Sequence, residues 1–412
     1  MPSFYIPLSG LQANSDALAV TANNLANLNT IGFKAQRPLF EDLFYQQVGT
    51  SGDGNPEQVG VGTGIQAIDS QFTQGSIQAS GVPTDVAIQG NGYFVLDNHG
   101  EQLFTRAGDF SVSKDGNLLS KDGAEVLGYP AVNGVVNPNA TLGSLEIATG
   151  QTNPPVATAK IALTTNLDSG TAVNGSFSTS ATVYDSLGGS HVLTYSFTKT
   201  AANTWSYAIT VPAADVGATG NPVTVQSGTL AFSGAGQLTT PAADVGGITI
   251  SGFADGASNL SFSWSLYDAS GNGLLTQVAA PSAVSSTSQD GFASGTLISY
   301  IIGSDGTIQG TFSNGQTSAL GQIALASFQN DQGLVRNGSN EFLASLASGQ
   351  ANIGAPGTGG RGTLSGGALE QSNVDIATQF AQLILQERGY QANAKAVTTF
   401  DEVTQTAINL KQ

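Results

Sequence analysis

The stretch LSGLQANSDALAVTANNLANLNTIG, residues 8–32, decides how the chain is read. Leu8, Leu11, Ser15, Leu18, Ala22 and Leu25 recur at alternating spacings of three and four, the period of a narrow coiled-coil seam, so one amphipathic helix is expected. Asn29-Thr30-Ile31-Gly32 ends it, because Gly32 suits the left-handed conformation that follows a helix C-terminus. Burying Leu8, Leu11, Leu18 and Leu25 returns about 1.5–3 kcal/mol each. Fixing some twenty backbone residues costs roughly 1–2 kcal/mol apiece before helix hydrogen bonds return part of it. The helix is therefore expected to need a partner. Asn23, Asn24, Asn27 and Asn29 are poor helix formers. Two readings of them stay open: a solvated face with a frayed end, or amides, Asn24 and Asn27 among them, that bond between neighbouring chains as a buried Asn fixes register in a coiled coil.

A similar stripe closes the sequence. Ile376, Phe380, Leu383, Tyr390, Ala394, Val397, Phe400, Val403, Ala407 and Leu410 keep a three-or-four period without proline, with Gly389 the weak point. The two stripes are expected to pack on each other and on copies from other chains, which makes the chain ends an assembly device. Between them the sequence reads as β-structure. Residues 84–128 break into short strands at Gly90-Asn91-Gly92, Asn98-His99-Gly100, Asp115-Gly116-Asn117 and Asp122-Gly123. Strict alternation follows at Leu193/Tyr195/Phe197, Trp205/Tyr207/Ile209/Val211 and Leu260/Phe262/Trp264/Leu266, each a strand with one wet face.

The fold class expected is mainly β with terminal α-helices: nested antiparallel β-domains on a coiled-coil-like helical stem formed by both chain ends. The divisions are an N-terminal helix over 1–32, a first β-domain over 33–155 that resumes at 290–348, and an inserted β-domain over 156–289. A glycine-rich connector over 349–371, too rich in glycine to hold a regular element, then leads to a C-terminal helix over 372–412.

Charge excludes several functions. The chain has 412 residues, 12 Lys+Arg and 29 Asp+Glu, for a net charge of −17. That charge repels phosphate backbones and anionic headgroups, and no basic cluster reverses it, so neither nucleic acid nor a membrane is expected as partner. From Thr200 to Val335 there is no Lys or Arg but seven Asp, which sets the inserted region apart. The absence of cysteine removes disulfides and thiolate chemistry. The start lacks a basic n-region and a continuous apolar core, so a cleaved secretory signal is not expected, and no 18 apolar residues run together.

Chemistry-bearing motifs are sparse, and no catalytic, cofactor-binding or metal site is expected. His99 falls in a turn and His191 at the start of a strand, and both read as ordinary positions. Gly62-Thr63-Gly64-Ile65-Gln66-Ala67 fits G-x-G-x-x-A but lacks the flanking strand and helix of a dinucleotide site. Asp115-Gly116, Asp122-Gly123, Asp290-Gly291 and Asp305-Gly306 read as hairpin turns, outside any calcium-loop pattern. No G-x-S-x-G elbow occurs.

Ser9-Gly10-Leu11-Gln12-Ala13 followed by Asn23-Asn24-Leu25-Ala26-Asn27-Leu28-Asn29-Thr30-Ile31-Gly32-Phe33-Lys34 resembles the N-terminal signature of the bacterial flagellar rod and hook proteins. Gly60 to Gly75, Asp85 to Phe94, Phe104-Thr105-Arg106-Ala107-Gly108-Asp109-Phe110 and the C-terminal Gly366 to Asp375 with Gln386 to Lys395 are similar to further segments of that family. Rod members of this framework lack a large insertion, and the segment from Pro155 to Gln289, with Tyr184-Asp185-Ser186-Leu187-Gly188-Gly189-Ser190-His191, looks like the outer domain of the hook members. The resemblance implies a non-enzymatic subunit without cofactor that leaves the cell through the flagellar type III export apparatus. It also implies a homopolymeric hollow tube, extracellular, in contact with rod, hook-cap and hook–filament junction proteins. The terminal helices would line the tube, and the β-domains would slide between nearly equal packings as it bends. A distal rod protein is the alternative within the family; a carbohydrate-active enzyme or a surface adhesin is the alternative outside it.

Overall fold

Leu193, Tyr195, Phe197, Trp205, Tyr207, Ile209, Val211, Leu260, Phe262, Trp264 and Leu266, the alternating apolar positions, all enter one buried cluster. The computed structural model describes residues 4–148 and 150–409. It divides them into two units, one within 150–298 and 311–316, the other within 1–149, 299–310 and 317–412.

In the inserted unit one sheet is a meander, Ser176–Tyr184, Ser190–Ala201, Thr204–Val211, Val223–Phe232 and Leu238–Thr240, each strand antiparallel to the next. The other orders Val245–Ile250, Leu260–Ser265, Lys160–Asn166 and Leu275–Thr276, with Ala283–Gln289 also on Lys160–Asn166. Lys160–Asn166 runs parallel to both Leu260–Ser265 and Leu275–Thr276, so the unit is mixed, not purely antiparallel as expected. Alternation fixes which face a residue takes and leaves strand direction free; parallel neighbours need a long crossover, supplied here by the whole meander. The two sheets close on Trp264, which meets the rings of Tyr195 and Tyr207 edge-on at 5.2 Å each.

The other unit contains both helices and a sheet built around the hairpin Tyr93–Asn98 and Glu101–Thr105. Its turn places His99 and Gly100 at φ 55 and 94, the left-handed pair that a tight hairpin requires. Tyr93, Val95, Phe104, Ala326 and Phe342 form a core there. Asp290-Gly291 is not a hairpin turn: the Asp290 Oδ1 accepts the amides of Ala159 and Lys160 at 2.8 and 2.9 Å and pins the start of the strand Lys160–Asn166.

The glycine-rich stretch also departs from expectation. Asn352–Gly354 pairs with Leu325–Ser327, Thr363–Gly366 with Val86–Gln89, and Ala368–Glu370 with Ile77–Ala79, all antiparallel. Its glycines serve close approach: a Cβ at Gly362 would collide with the Gln89 carbonyl, and one at Gly366 with that of Ile302. Arg361 fills the intervening turn, donating to the carbonyls of Ala355 and Asn352.

Candidate functional site: the terminal helix pair

The helix read from residues 8–32 spans Tyr5–Ala26 (α1), and that of the other end Ile376–Asn409 (α2). They pack antiparallel. Gly10 faces Asn393, Asn14 faces Gly389, Thr21 faces Gln386 and Asn24 faces Gln379. On α1 the buried residues are Pro7, Gly10, Ala13, Ala17, Val20, Thr21 and Asn24, mostly small, which lets the two backbones approach. The contact has a reciprocal form. Asn14 Nδ2 donates to the Gly10 carbonyl at 2.7 Å and Asn393 Nδ2 to the Gly389 carbonyl at 2.9 Å. Each amide lies over the glycine of the opposite helix: a Cβ added at Gly10 would sit 2.8 Å from the Asn393 amide, and one at Gly389 would sit 2.7 Å from Asn14 Oδ1. Thr21 Oγ1 donates to Gln386 Oε1 at 2.8 Å and Asn24 Nδ2 to Gln379 Oε1 at 3.0 Å. The seam within the chain is therefore polar and small.

The leucine stripe is not that seam. Leu8 and Ala22 are exposed, and Leu11, Leu18 and Leu25 are half-buried. Asn24 is 1 % exposed and bonds inside its own chain, accepting the Gln36 amide at 2.9 Å and donating to its carbonyl at 2.7 Å. Asn27 donates to the Asn23 carbonyl and accepts from Thr30 Oγ1, closing the end of α1. On α2, Ile376, Phe380, Tyr390, Phe400 and Val403 are exposed, whereas Leu383, Ala394 and Val397 are half-buried; Leu410 lies outside the described residues. Heptad spacing selected the large apolar residues, but the close helix pairing selects residues without bulk. The legible signal was a repeated Gly-x-x-x-Asn, at Gly10/Asn14 and Gly389/Asn393.

Below the helices a buried charge cluster joins the two chain ends. Gly32 takes φ 68 and donates its amide to the Glu370 carbonyl at 2.8 Å. Lys34 Nζ meets Glu370 Oε1 at 2.6 Å and donates to the Thr73 carbonyl, while Arg106 Nε stands 3.4 Å from Glu370 Oε2. Burial, then the Arg106 charge, pushes the Lys34 amine below its ordinary value, with Glu370 opposing both. Asn373 accepts the Ala35 amide and donates to the Gln71 carbonyl, so the segments leaving α1 and entering α2 are stitched together.

Other features offer less. A groove of about 370 Å³ beside the end of α1 is lined by Asn27, Thr30, Asp109, Lys121 and Glu341, among others. Burial pushes both the Asp109 and Glu341 carboxyls up. Neither histidine lines this groove. His99 is exposed in its turn, and His191 lies on the strand Ser190–Ala201 with its side chain buried. Asp185, His191 and Asp255 bring one ligand-type atom each within 4.8 Å of one another, an arrangement sequence spacing did not disclose because Asp255 is remote along the chain. Among the described residues no helix is long and apolar enough to cross a membrane.

Comparison with known proteins agrees with the helix signature. Residues 4–34 match the family described as flagella basal body rod protein, 104–292 the flagellar basal body protein FlaE D2 domain, and 365–410 the flagellar basal body rod FlgEFG protein C-terminal family. The flagellar hook protein FlgE of Treponema pallidum is 33% identical over 462 residues, covering 100% of both chains. That of Escherichia coli is 33% identical over 99% of this chain and 100% of its own, and that of Salmonella typhimurium 34% over the same shares. The crystal structure of Helicobacter pylori flagellar hook protein FlgE2 shares the fold, with a TM-score of 0.53 and 16% identity over 71% of this chain and 100% of that one. Identity at this level along the whole length, with a matching family at each helical end, shows that the chain belongs to the flagellar hook protein family.

Proposed function

We propose that this hook subunit, structural and without catalytic activity, polymerises through the outer faces of its terminal helices into a hollow tube that transmits torque while bending. The observation that carries this is the set of large apolar side chains left uncovered on the helix pair. Leu8, Phe380, Leu385 and Val403 are 49%, 53%, 70% and 61% exposed, with Tyr5, Phe400 and Ile408 beside them in sequence. Large apolar side chains left in water at this density on one pair of helices mark an interaction site. The net charge of −17 disfavours an anionic membrane as its cover, while α1 itself carries a single charged residue, Asp16, so its exposed face sets little charge against another copy of the chain.

Because Gly10 faces Asn393, the start of α1 falls near Thr398, and every described residue of α2 from there on is exposed. That overhang supports contact with the next subunit. Among the described residues the hairpin Tyr45–Thr50 and Pro56–Gly60 pairs with no other strand, and it carries exposed Val48 and Val59, a second element that gains from a neighbour. The same reading carries the further partners of a hook: rod, cap and filament-junction proteins, with delivery outside the cell through type III export. The divisions at 1–32, 33–155, 156–289, 290–348 and 372–412 belong to the same proposal, with the paired strands of 349–371 counted with the first β-domain.

Electron microscopy of the concentrated protein tests it. Wild type is expected to form hollow tubes; Leu8→Glu and Phe380→Glu, both at exposed positions, are expected to keep the monomer's circular dichroism and lose the tubes. Tubes of unchanged yield in both variants would refute the assignment of these faces.

A further inference from the structure

We propose that His191, held as an imidazolium between Asp185 and Asp215, is a proton-operated bolt that closes the end of the inserted unit through which the chain enters and leaves. The inference concerns one chain and is independent of the assembly reading. His191 Nε2 lies 2.7 Å from Asp185 Oδ2 and Nδ1 lies 3.1 Å from Asp215 Oδ2. A neutral ring can donate from only one nitrogen, so two carboxylate partners are both served only when both nitrogens carry protons. The doubly protonated form is the one this geometry fits.

The three residues come from separate elements. Asp185 sits in the turn between Ser176–Tyr184 and Ser190–Ala201, His191 on the second of these strands, and Asp215 in the 3-10 turn Ala213–Val216. Asp255 approaches from the loop before Leu260–Ser265, which belongs to the opposite sheet, and Phe253 packs its ring 4.5 Å from the imidazole. His191, Asp185 and Asp215 all belong to the meander and the turns between its strands; the loop that precedes Leu260–Ser265 closes over them, the Ala254 amide donating to the Asp215 carbonyl at 2.9 Å. The bolt's turn abuts the chain's entry and exit: a Cβ at Gly188 would lie 2.9 Å from Pro155 and 3.3 Å from the Ser294 amide. Ser186 Oγ accepts the Ser258 amide at 3.0 Å across the same gap. No Lys or Arg occurs between Thr200 and Val335, and the Lys199 amine is committed to the Ser169 carbonyl; among the described residues no Lys or Arg forms an ion pair with Asp185, Asp215 or Asp255, and the imidazole is the basic group bonded to the first two.

The titration follows from the same contacts. Burial works to lower His191, but hydrogen bonds and charge from Asp185 and Asp215 outweigh it and raise the ring above its ordinary value of about 6.5. Burial works to raise Asp185, yet the bonds from His191, Gly189 and Leu187 hold it below the usual carboxylate range. A raised histidine contributes in full below pH 6.5 and loses its contribution as pH rises through the folded-state value. A depressed aspartate loses its contribution as pH falls through its own folded-state value. The bolt is closed between these limits and opens in alkali.

The chain's two tryptophans, Trp205 and Trp264, are both buried in this unit, so their fluorescence reports its unfolding within the full chain. Urea titrations of the full chain from pH 6 to 9 should show the folding equilibrium constant falling with pH, approaching tenfold per unit within the titration window. His191→Gln should flatten that slope and Asp215→Asn reduce it. Equal slopes in wild type and His191→Gln, or stability rising with pH, would overturn the proposal. Should His191→Gln not fold, ring nitrogen resonances of the wild type, separated from those of His99 by His99→Gln, decide: two protonated nitrogens at pH 6.5 support the bolt, and a neutral ring at pH 6 overturns it. A stabilisation by added zinc chloride that a chelator reverses would also overturn it, since a metal would take the lone pair of Nε2.

Discussion

Gly10→Ala tests the helix pairing with a sign, because two opposing effects meet at one carbon. Alanine is a better helix former than glycine by about 1 kcal/mol, so on an isolated α1 the change stabilises. In the pair, the new Cβ falls 2.8 Å from the Asn393 amide, and that amide is already bonded to the Gly389 carbonyl. Overpacking of this kind costs about 1–3 kcal/mol, so the net effect ranges from nil to about 2 kcal/mol of destabilisation. Removing the obstacle with Asn393→Ala leaves only the propensity gain, and Gly10→Ala then stabilises by about 1 kcal/mol. The difference between the two backgrounds, about 1–3 kcal/mol, is a coupling energy that cancels whatever Asn393→Ala costs by itself. Amide hydrogen exchange of the full chain, followed in peptides within Tyr5–Ala26, reads it as an approximately 5- to 150-fold change in relative protection. The mirror cycle of Gly389→Ala with Asn14→Ala should give the same sign. Stabilisation by Gly10→Ala in both backgrounds would show that Asn393 does not lie over Gly10 and would refute the register.

Glu370→Ala leaves Lys34 and Arg106 buried without their counter-charge and should cost about 3–5 kcal/mol, read as a lowered thermal midpoint by circular dichroism. An unchanged midpoint would mean that the cluster is wetter than its burial implies. Trp264→Ala should cost about 3–5 kcal/mol in urea titrations followed through Trp205, whereas Trp264→Phe should cost clearly less, because the indole nitrogen has no partner among the described residues and the ring still meets Tyr195 and Tyr207. Equal losses would show that the indole nitrogen matters after all. Asp375 accepts the Thr378 amide at 2.6 Å, and this backbone bond, with the Thr378 side chain, holds its carboxyl below the usual range. The first turn of α2 should therefore lose exchange protection as pH falls through that depressed value, and Asp375→Ala should remove the pH dependence.

The parts of the fold that were legible share a physical cause. Period-2 alternation at 193–211 and 260–266 is imposed by a sheet with one dry face, so Trp205 and Trp264 were placed correctly without knowledge of any partner strand. Helix existence was equally plain at both ends. Helix partnership was not, because a period of 3.5 is carried equally by a face that meets the chain's own second helix and by a face that meets other chains. Only the identity of the residues separates them, and Gly10, Ala13 and Ala17 look weak on any scale that counts apolar bulk. The connector over 349–371 failed for a related reason. Glycine density was read as freedom, yet Gly362 and Gly366 are where another backbone carbonyl passes too close for a side chain. The burial of His191 was not legible because only Asp185 is near it in sequence, whereas its second partner Asp215 stands 24 positions away.

The division of faces on α1 bears on how the proposed tube can be both strong and compliant. Hydrogen bonds are directional, and Thr21–Gln386 and Asn24–Gln379 admit one register; displacing them by a residue would leave polar groups unpaired near the buried Asn24. Dispersion and water exclusion are not directional, so leucine and phenylalanine stripes tolerate small displacements at little cost. A subunit that spends its directional contacts inside the chain and leaves its non-directional ones for its neighbours keeps its own shape while permitting neighbours to shift. The polar seam and the exposed apolar stripe then belong to one design. Transferring bulk to the seam, as Gly10→Ala does, should disturb the subunit before it disturbs the polymer, and transferring charge to the stripe, as Leu8→Glu does, should do the reverse.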